Sequence, residues 1–188
     1  AFASIIAGVG VSGVSYLWLL VARNFPKLAE SIAEMEAGNE MIAGGNTLGL
    51  ILIVVIAAPI IEELLFRGIV FRSLRKVVPF FVAAFVSAAM FGAYHMNLSQ
   101  AVYATFMGMM AAVVYEKTNN LLYPILVHMA NNAIGVVQSV VPEAGIMIID
   151  IIAVIMIIPM SYFAYKLLTG KCDKCKCNTL ASDVGTDL

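Results

Sequence analysis

The sequence is poor in charge, and it has no cysteine outside one short terminal stretch. Charged residues make up 12% of the 188 residues, whereas hydrophobic residues make up 62%. Ordinary soluble domains carry about 25% charged residues, so this composition excludes a soluble globular enzyme. The formal net charge is -1, and no overall basic field indicates nucleic-acid binding. Composition therefore predicts a polytopic membrane protein whose main surroundings are a lipid bilayer.

The three cysteines, Cys172, Cys175 and Cys177, all lie in the terminal tail. This placement argues against a disulfide framework. We interpret the tail as reduced and cytoplasmic, and acylation beside the membrane or weak metal capture are the alternatives. A zinc site would need a fourth ligand that the tail does not offer.

Apolar runs of about 20 residues, long enough to cross the hydrocarbon core of a bilayer, recur along the chain. About six are found, near residues 2–22, 47–72, 78–95, 101–115, 121–141 and 145–168. In the first run Gly8, Gly10 and Gly13 make small-residue faces that allow close helix packing. The polar residues 23–46 predict an amphipathic helix at the membrane interface, with a substrate gate as the alternative. The predicted fold class is thus an all-α membrane helix bundle of about six transmembrane helices plus one interfacial amphipathic helix.

Lysine and arginine are distributed unevenly between alternate connections. If the N-terminus is cytoplasmic, eight of these residues lie on the cytoplasmic side and two on the outer side. Both termini are therefore predicted to be cytoplasmic. Residues 1–168 are predicted to form a single transmembrane domain, and residues 169–188 a short disordered tail.

The second apolar run carries Glu62, Glu63 and Arg67. A charge inside a membrane helix costs at least a few kcal/mol, so it is usually paired and marks a functional site. Residues four apart share a helix face, so Glu63 and Arg67 are predicted to form an ion pair. Glu62 is left to face another helix as a base. Pro59 is expected to kink this helix and to leave a carbonyl free near the acids.

The two histidines, His95 and His128, both lie in apolar runs. Phe91 precedes His95 by four residues, and Asn132 follows His128 by four, so each pair shares a helix face. A lone histidine in a membrane helix is more often a packing residue than a catalyst. Two histidines, a carboxamide and an unpaired Glu62 can together polarise a water and donate hydrogen bonds to an oxyanion.

Three motifs thus follow one another along the chain: Glu62-Glu63-x-x-x-Arg67, Phe91-x-x-x-His95 and His128-x-x-x-Asn132. In this order they resemble the signature of the CAAX-protease and bacteriocin-processing (CPBP) family, also called Abi proteins, which includes the type II CAAX prenyl endopeptidases. The resemblance implies a prokaryotic intramembrane protease of the plasma membrane. Its expected partner is a peptide or protein substrate in or at the membrane, such as a leader peptide or a membrane-anchored regulator.

The resemblance also implies roles for four catalytic residues. Glu62 and His95 would activate the attacking water, and His128 and Asn132 would line the site and stabilise the oxyanion. Family members have been described both as glutamate-dependent and as metal-dependent proteases. We favour a glutamate protease without a cofactor, because the paired histidines of a zincin helix are absent from this sequence. The alternative is zinc held by Glu62, His95 and His128.

Three further residues are given supporting roles by the resemblance. Glu63 and Arg67 would hold the kinked helix through their ion pair, and Phe91 would pack beside the water. Two other functions stay open: a non-catalytic immunity or binding protein of the same fold, and a small proton-coupled transporter, since buried Glu and His residues also build proton relays.

Overall fold

The computed structural model describes residues 1–43 and 47–170, and every regular element within these ranges is helical. The helices are α1 (Phe2–Ala22), α2 (Pro26–Ala43), α3 (residues 47–74), α4 (Phe80–Tyr94), α5 (Leu98–Thr118), α6 (Leu122–Gln138) and α7 (Glu143–Thr169). The predicted all-α class is confirmed. Residues 171–188, with most of the predicted tail and all three cysteines, lie outside the described residues.

Three of the described helices, α1, α5 and α7, are long and apolar enough to cross a membrane. Helix α4 is apolar but shorter, with 15 residues. The chain is therefore an integral membrane protein built as a helical bundle. That all six apolar runs cross the bilayer stays a prediction.

Helix α1 packs between α6 and α7. A Cβ atom on Gly8 would clash with the Val127 carbonyl of α6, and one on Gly13 with the Ala153 carbonyl of α7. Only glycine allows the backbones to approach this closely, as in other membrane bundles. The small-residue faces predicted for α1 are confirmed, and through them α1 holds α6 and α7 in place.

Helix α3 changes its helical register twice. Two π-helical segments, Ile51–Ala57 and Leu64–Phe71, flank the α-helical turn Ala58–Glu63. Segments of π-helix are rare and are frequent at functional sites, because the wider turn redirects side chains. The irregularity expected at Pro59 thus takes the form of a change in hydrogen-bond register beside the two acids.

Helix α2 is docked onto the first turn of α5. The Asn97 amide donates to the Ser31 carbonyl at 2.7 Å, and the Ser99 hydroxyl donates to the Leu28 carbonyl at 2.9 Å. The Trp18 indole of α1 donates to the Ser99 carbonyl at 3.0 Å. These bonds fix α2 against the start of α5, and the start of α5 against α1.

Candidate active site

Three helices bring the seven predicted site residues together. Helix α3 carries two acids and an arginine, α4 carries a phenylalanine and is followed directly by a histidine, and α6 carries a histidine and an asparagine: Glu62, Glu63, Arg67, Phe91, His95, His128 and Asn132. A cavity of about 850 Å³ is lined by five of them, namely Glu62, Phe91, His95, His128 and Asn132. Glu63 and Arg67 are fully buried behind its wall.

Glu63 joins α3 to α6. Its Oε1 accepts a hydrogen bond from Arg67 Nη1 at 2.9 Å, which confirms the predicted ion pair, and its side chain is 0% exposed. The same Oε1 lies 3.0 Å from His128 Nδ1. Because a carboxylate only accepts, we assign the proton of this contact to Nδ1. Glu63 therefore orients the imidazole as well as neutralising the guanidinium, a link that spacing along one helix does not predict.

Besides Glu63, the ring of Phe91 and the space left by Gly108 accommodate the Arg67 side chain. Its guanidinium lies over the Phe91 ring, 4.8 Å from the centroid. A Cβ atom on Gly108 of α5 would lie 3.0 Å from Arg67 Nη2, so the glycine leaves room for the charged group. Within the described part of the chain Arg67 Nε and Nη2 and Glu63 Oε2 make no hydrogen bond. The buried cation thus depends on Glu63 and on the face of Phe91.

Glu62 is the acid that reaches the cavity. Its Oε2 lies 3.5 Å from His128 Nε2, and its side chain is 16% exposed. The His128 ring therefore lies between two carboxylates, with Nδ1 on Glu63 and Nε2 towards Glu62. Nε2 is thus the ring nitrogen that faces Glu62 at the cavity, while Glu63 holds Nδ1.

His95 borders the same cavity without bonding to the other polar residues of the site. Its Nδ1 lies 2.9 Å from the Phe91 carbonyl, so Nδ1 donates and Nε2 is left as an acceptor. The Phe91 ring packs edge-on against His95 at 4.8 Å and against His128 at 5.5 Å between centroids. No hydrogen bond of the described residues joins His95 to Glu62 or His128. Phe91 is thus the spacer that sets the separation of the two imidazoles.

A relay of amides fixes Asn132. Its Nδ2 donates to the Val54 carbonyl at 2.9 Å, and its Oδ1 accepts from Asn131 Nδ2 at 3.3 Å. Ser12 of α1 donates to Asn131 Oδ1 at 3.1 Å. In the π-helical register residue 59 would donate to the Val54 carbonyl, but Pro59 has no N–H, so this carbonyl is available to Asn132. Ser12 and Asn131 were not predicted as site residues, because spacing arguments link only residues of one helix.

The side chains proposed for zinc do not converge. Among the described residues no three His, Cys, Asp or Glu side chains are grouped to hold a metal. Zinc ligands all lie about 2.0–2.2 Å from the ion, and the three side chains are not grouped within that reach, although both rings bond through Nδ1 and leave Nε2 free, as zinc-binding histidines do. This arrangement does not fit the trio of Glu62, His95 and His128 as ligands, and independence from metal stays a prediction.

Comparison with known proteins agrees with the resemblance found in the sequence. Residues 44–134 match the family described as type II CAAX prenyl endopeptidase Rce1-like. YdiL of Bacillus subtilis (strain 168), provisionally named a membrane peptidase, is 33% identical over 93 residues, which are 50% of this chain and 38% of YdiL. The membrane-embedded CAAX protease MroQ of Staphylococcus aureus (strain USA300) is 32% identical over 101 residues, which are 50% of this chain and 41% of MroQ.

The aligned part thus spans about two fifths of the length of each curated relative. No solved structure matches this chain significantly. Both relatives carry the name of a membrane peptidase or protease, YdiL provisionally.

Proposed function

We propose that this chain, whose residues 44–134 match the Rce1-like family, is an intramembrane endopeptidase. It would hydrolyse a peptide bond of a membrane-associated or leader-peptide substrate. One observation carries the proposal: the His128 ring lies between the carboxylates of Glu62 and Glu63 at the wall of a cavity inside an apolar bundle. Ionisable groups are kept at such depth mainly where they have a function.

Glu62 is proposed as the general base. It is the one of the two adjacent acids that reaches the cavity, and its neighbour Glu63 is already bonded to Arg67 and His128. The Glu62 carboxylate takes a proton from a water molecule while the water oxygen attacks the carbonyl carbon of the substrate. His95 offers its free Nε2 as a second acceptor that orients this water.

His128 and Asn132 are proposed to stabilise the oxyanion of the tetrahedral intermediate. With Nδ1–H donated to Glu63, a second proton on Nε2 makes an imidazolium whose charge Glu63 offsets. This Nε2–H and the second N–H of the Asn132 amide are the donors for the oxyanion. The proton held by Glu62 then passes to the amide nitrogen as the C–N bond breaks, giving a carboxylate product and an amine product.

We also propose a cellular location for the protein. The plasma membrane of a prokaryote with both termini on the cytoplasmic side is supported by the eight-to-two distribution of Lys and Arg between the two sides. No metal cofactor is included, because Glu62 supplies a base and His128 and Asn132 supply hydrogen-bond donors without one.

The proposal is tested by cleavage with the full chain in detergent micelles. A mixture of membrane-inserting peptides serves as substrate, and mass spectrometry identifies the fragments. Glu62→Gln keeps the shape of the side chain but removes the base, so we expect the rate to fall by about 10²–10⁴-fold. Glu34→Gln, the same change at an exposed position of α2, is the matched control and should cleave at the wild-type rate. Equal rates for wild type and Glu62→Gln would remove Glu62 from the mechanism, and no cleavage by wild type would favour a non-catalytic binding protein.

A further inference from the structure

The cavity that holds the candidate site has a second polar end. Away from Glu62 and His128 it is lined by Gln138 at the end of α6 and by Asp150 in α7. We propose that Asp150 and Gln138 form a subsite for a positively charged side chain, lysine or arginine, of the peptide substrate. This inference rests on the proposed peptidase function and names the class of peptide that the site selects.

Asp150 is a buried acid that the catalytic scheme does not use. It is 8% exposed and lies in the most apolar of the membrane-spanning helices. Gln138 Nε2 donates to its Oδ1 at 2.7 Å, and no described Lys, Arg or His forms a salt bridge with it. A carboxylate at such a position is costly unless a cation pairs with it.

The second oxygen of this carboxylate is unpaired and accessible. Asp150 Oδ2 makes no hydrogen bond within the described chain, yet it is not among the buried side-chain atoms that lack a partner. It is therefore accessible on a side chain that lines the cavity. Gln138 orients the carboxylate through Oδ1 and leaves Oδ2 as an acceptor for an incoming ammonium or guanidinium group.

The charge of the whole cavity favours the same ligand. Its lining includes three carboxylates, Glu36, Glu62 and Asp150, and one guanidinium, Arg23. Arg23 is already paired with Glu36 at 2.7 Å, where both side chains are more than half exposed. Of the two remaining acids, Glu62 faces His128 at 3.5 Å, whereas Asp150 forms no salt bridge with a described Lys, Arg or His. A cleft with this balance attracts cationic peptides and repels acidic ones.

The position of the subsite along α6 sets where the cation must lie in the substrate. Gln138 follows His128 by ten residues in one continuous helix, a rise of roughly 15 Å at about 1.5 Å per residue. An extended peptide advances about 3.3–3.6 Å per residue. The basic residue should therefore lie about four or five residues from the bond that is cut.

A binding experiment separates this inference from catalysis. The full chain carrying Glu62→Gln is used, because this variant should not cut the probe and lacks the second acid that a cationic peptide could contact. Fluorescent apolar peptides carry one lysine at successive positions, and the reference peptides carry norleucine instead, which keeps the apolar stem without the charge. We expect lysine at one position to bind about tenfold or more tightly than norleucine, as measured by fluorescence anisotropy.

The preference should depend on Asp150. With Asp150→Asn in the same background the Lys-to-norleucine ratio should fall to about one, whereas Glu143→Gln at the exposed start of α7 should leave it unchanged. The subsite would be refuted if the Glu62→Gln protein with Asp150 intact bound the lysine and norleucine peptides equally. It would also be refuted if the preference for lysine persisted after Asp150→Asn. If the Asp150→Asn protein does not fold, the scan of lysine positions tests the subsite by itself. An Asp150 that only links α6 to α7 would give no preference for lysine over norleucine at any position of the peptide. A clear preference in binding together with no cleavage by wild type would refute the peptidase and leave the subsite standing.

Discussion

Glu62 and Glu63 are neighbours in the sequence, yet they contact different groups, and substituting them should have different effects on stability and cleavage. Glu63 is 0% exposed and bonds to Arg67 and His128, whereas Glu62 is 16% exposed at the cavity wall and only approaches His128. Removing Glu63 leaves a buried guanidinium without its acid. Removing Glu62 leaves no buried cation unpaired.

Glu63→Ala should therefore lower stability far more than Glu62→Ala. We expect the loss of Glu63 to cost about 3–5 kcal/mol, the usual penalty for breaking a buried ion pair by removing one partner. Glu62→Ala should cost clearly less while abolishing cleavage. Thermal unfolding of both full-length variants in one detergent measures the difference. Similar melting temperatures for the two variants would mean that the Glu63–Arg67 pair does not hold the fold.

At this scale the sequence predicts contacts within a helix and misses those between helices. The Glu63–Arg67 pair follows from spacing of four, and the structure confirms it. The Glu63–His128 bond and the Ser12–Asn131 bond cross between helices, and neither leaves a periodic signal. Asp150 can be noticed in the sequence, because it is the one acid inside the last apolar run. Its partner Gln138 lies in the preceding helix, so the sequence does not indicate their contact.

Whole helices were predicted more closely than their inner geometry. The first apolar run was expected at residues 2–22 and α1 is Phe2–Ala22, while the run at 78–95 corresponds to α4, Phe80–Tyr94. Arg23 directly follows α1 in the sequence, Pro79 precedes α4 and His95 follows it. The two π-helical segments of α3 have no such mark, because an extra residue per turn leaves the apolar composition unchanged. Pro59 indicated an irregularity without giving its form.

The contact of α4 with α5 should tolerate no side chain at Gly108. A Cβ atom there would lie 2.9 Å from the Ala88 Cβ and 3.0 Å from Arg67 Nη2. We expect Gly108→Ala to destabilise the protein by about 1–3 kcal/mol through overpacking. In the thermal-unfolding assay Gly38→Ala is the matched control, because a Cβ at Gly38 meets nothing within 4 Å. That variant should be neutral or stabilising by up to about 1 kcal/mol. If both variants melt alike, the close approach at Gly108 is not needed to bury Arg67.

At the scale of the molecule the helices are not ordered in space as they are in sequence. Short connections predict that successive helices are neighbours, which holds for α4 with α5 and for α5 with α6. Helix α1 instead packs between α6 and α7, far from it in sequence. Similar apolar composition in every run gives no basis for predicting this arrangement. Glycines such as Gly8 and Gly13 indicate that a helix is closely packed but not against which partner.

The part of the chain shared with the relatives does not hold the whole site. The matched residues 44–134 include Glu62, His95 and His128. The Ser12 hydroxyl that begins the amide relay belongs to α1, and Asp150 belongs to α7. The residues proposed for catalysis thus belong to the matched part, whereas Asp150, which is proposed to bind a basic side chain of the peptide, belongs to a helix outside it.

The central claim is that side chains of separate helices act as one catalytic unit, and a double substitution tests it most directly. Cleavage rates are compared for wild type, Glu62→Gln, His128→Gln and the two changes combined. Groups that serve one transition state give strongly non-additive losses. We predict a loss of about 10²–10⁴-fold for each single variant and little further loss in the double variant. Losses that multiply in the double variant, or a Glu62→Gln protein that cleaves at the wild-type rate, would contradict a shared site.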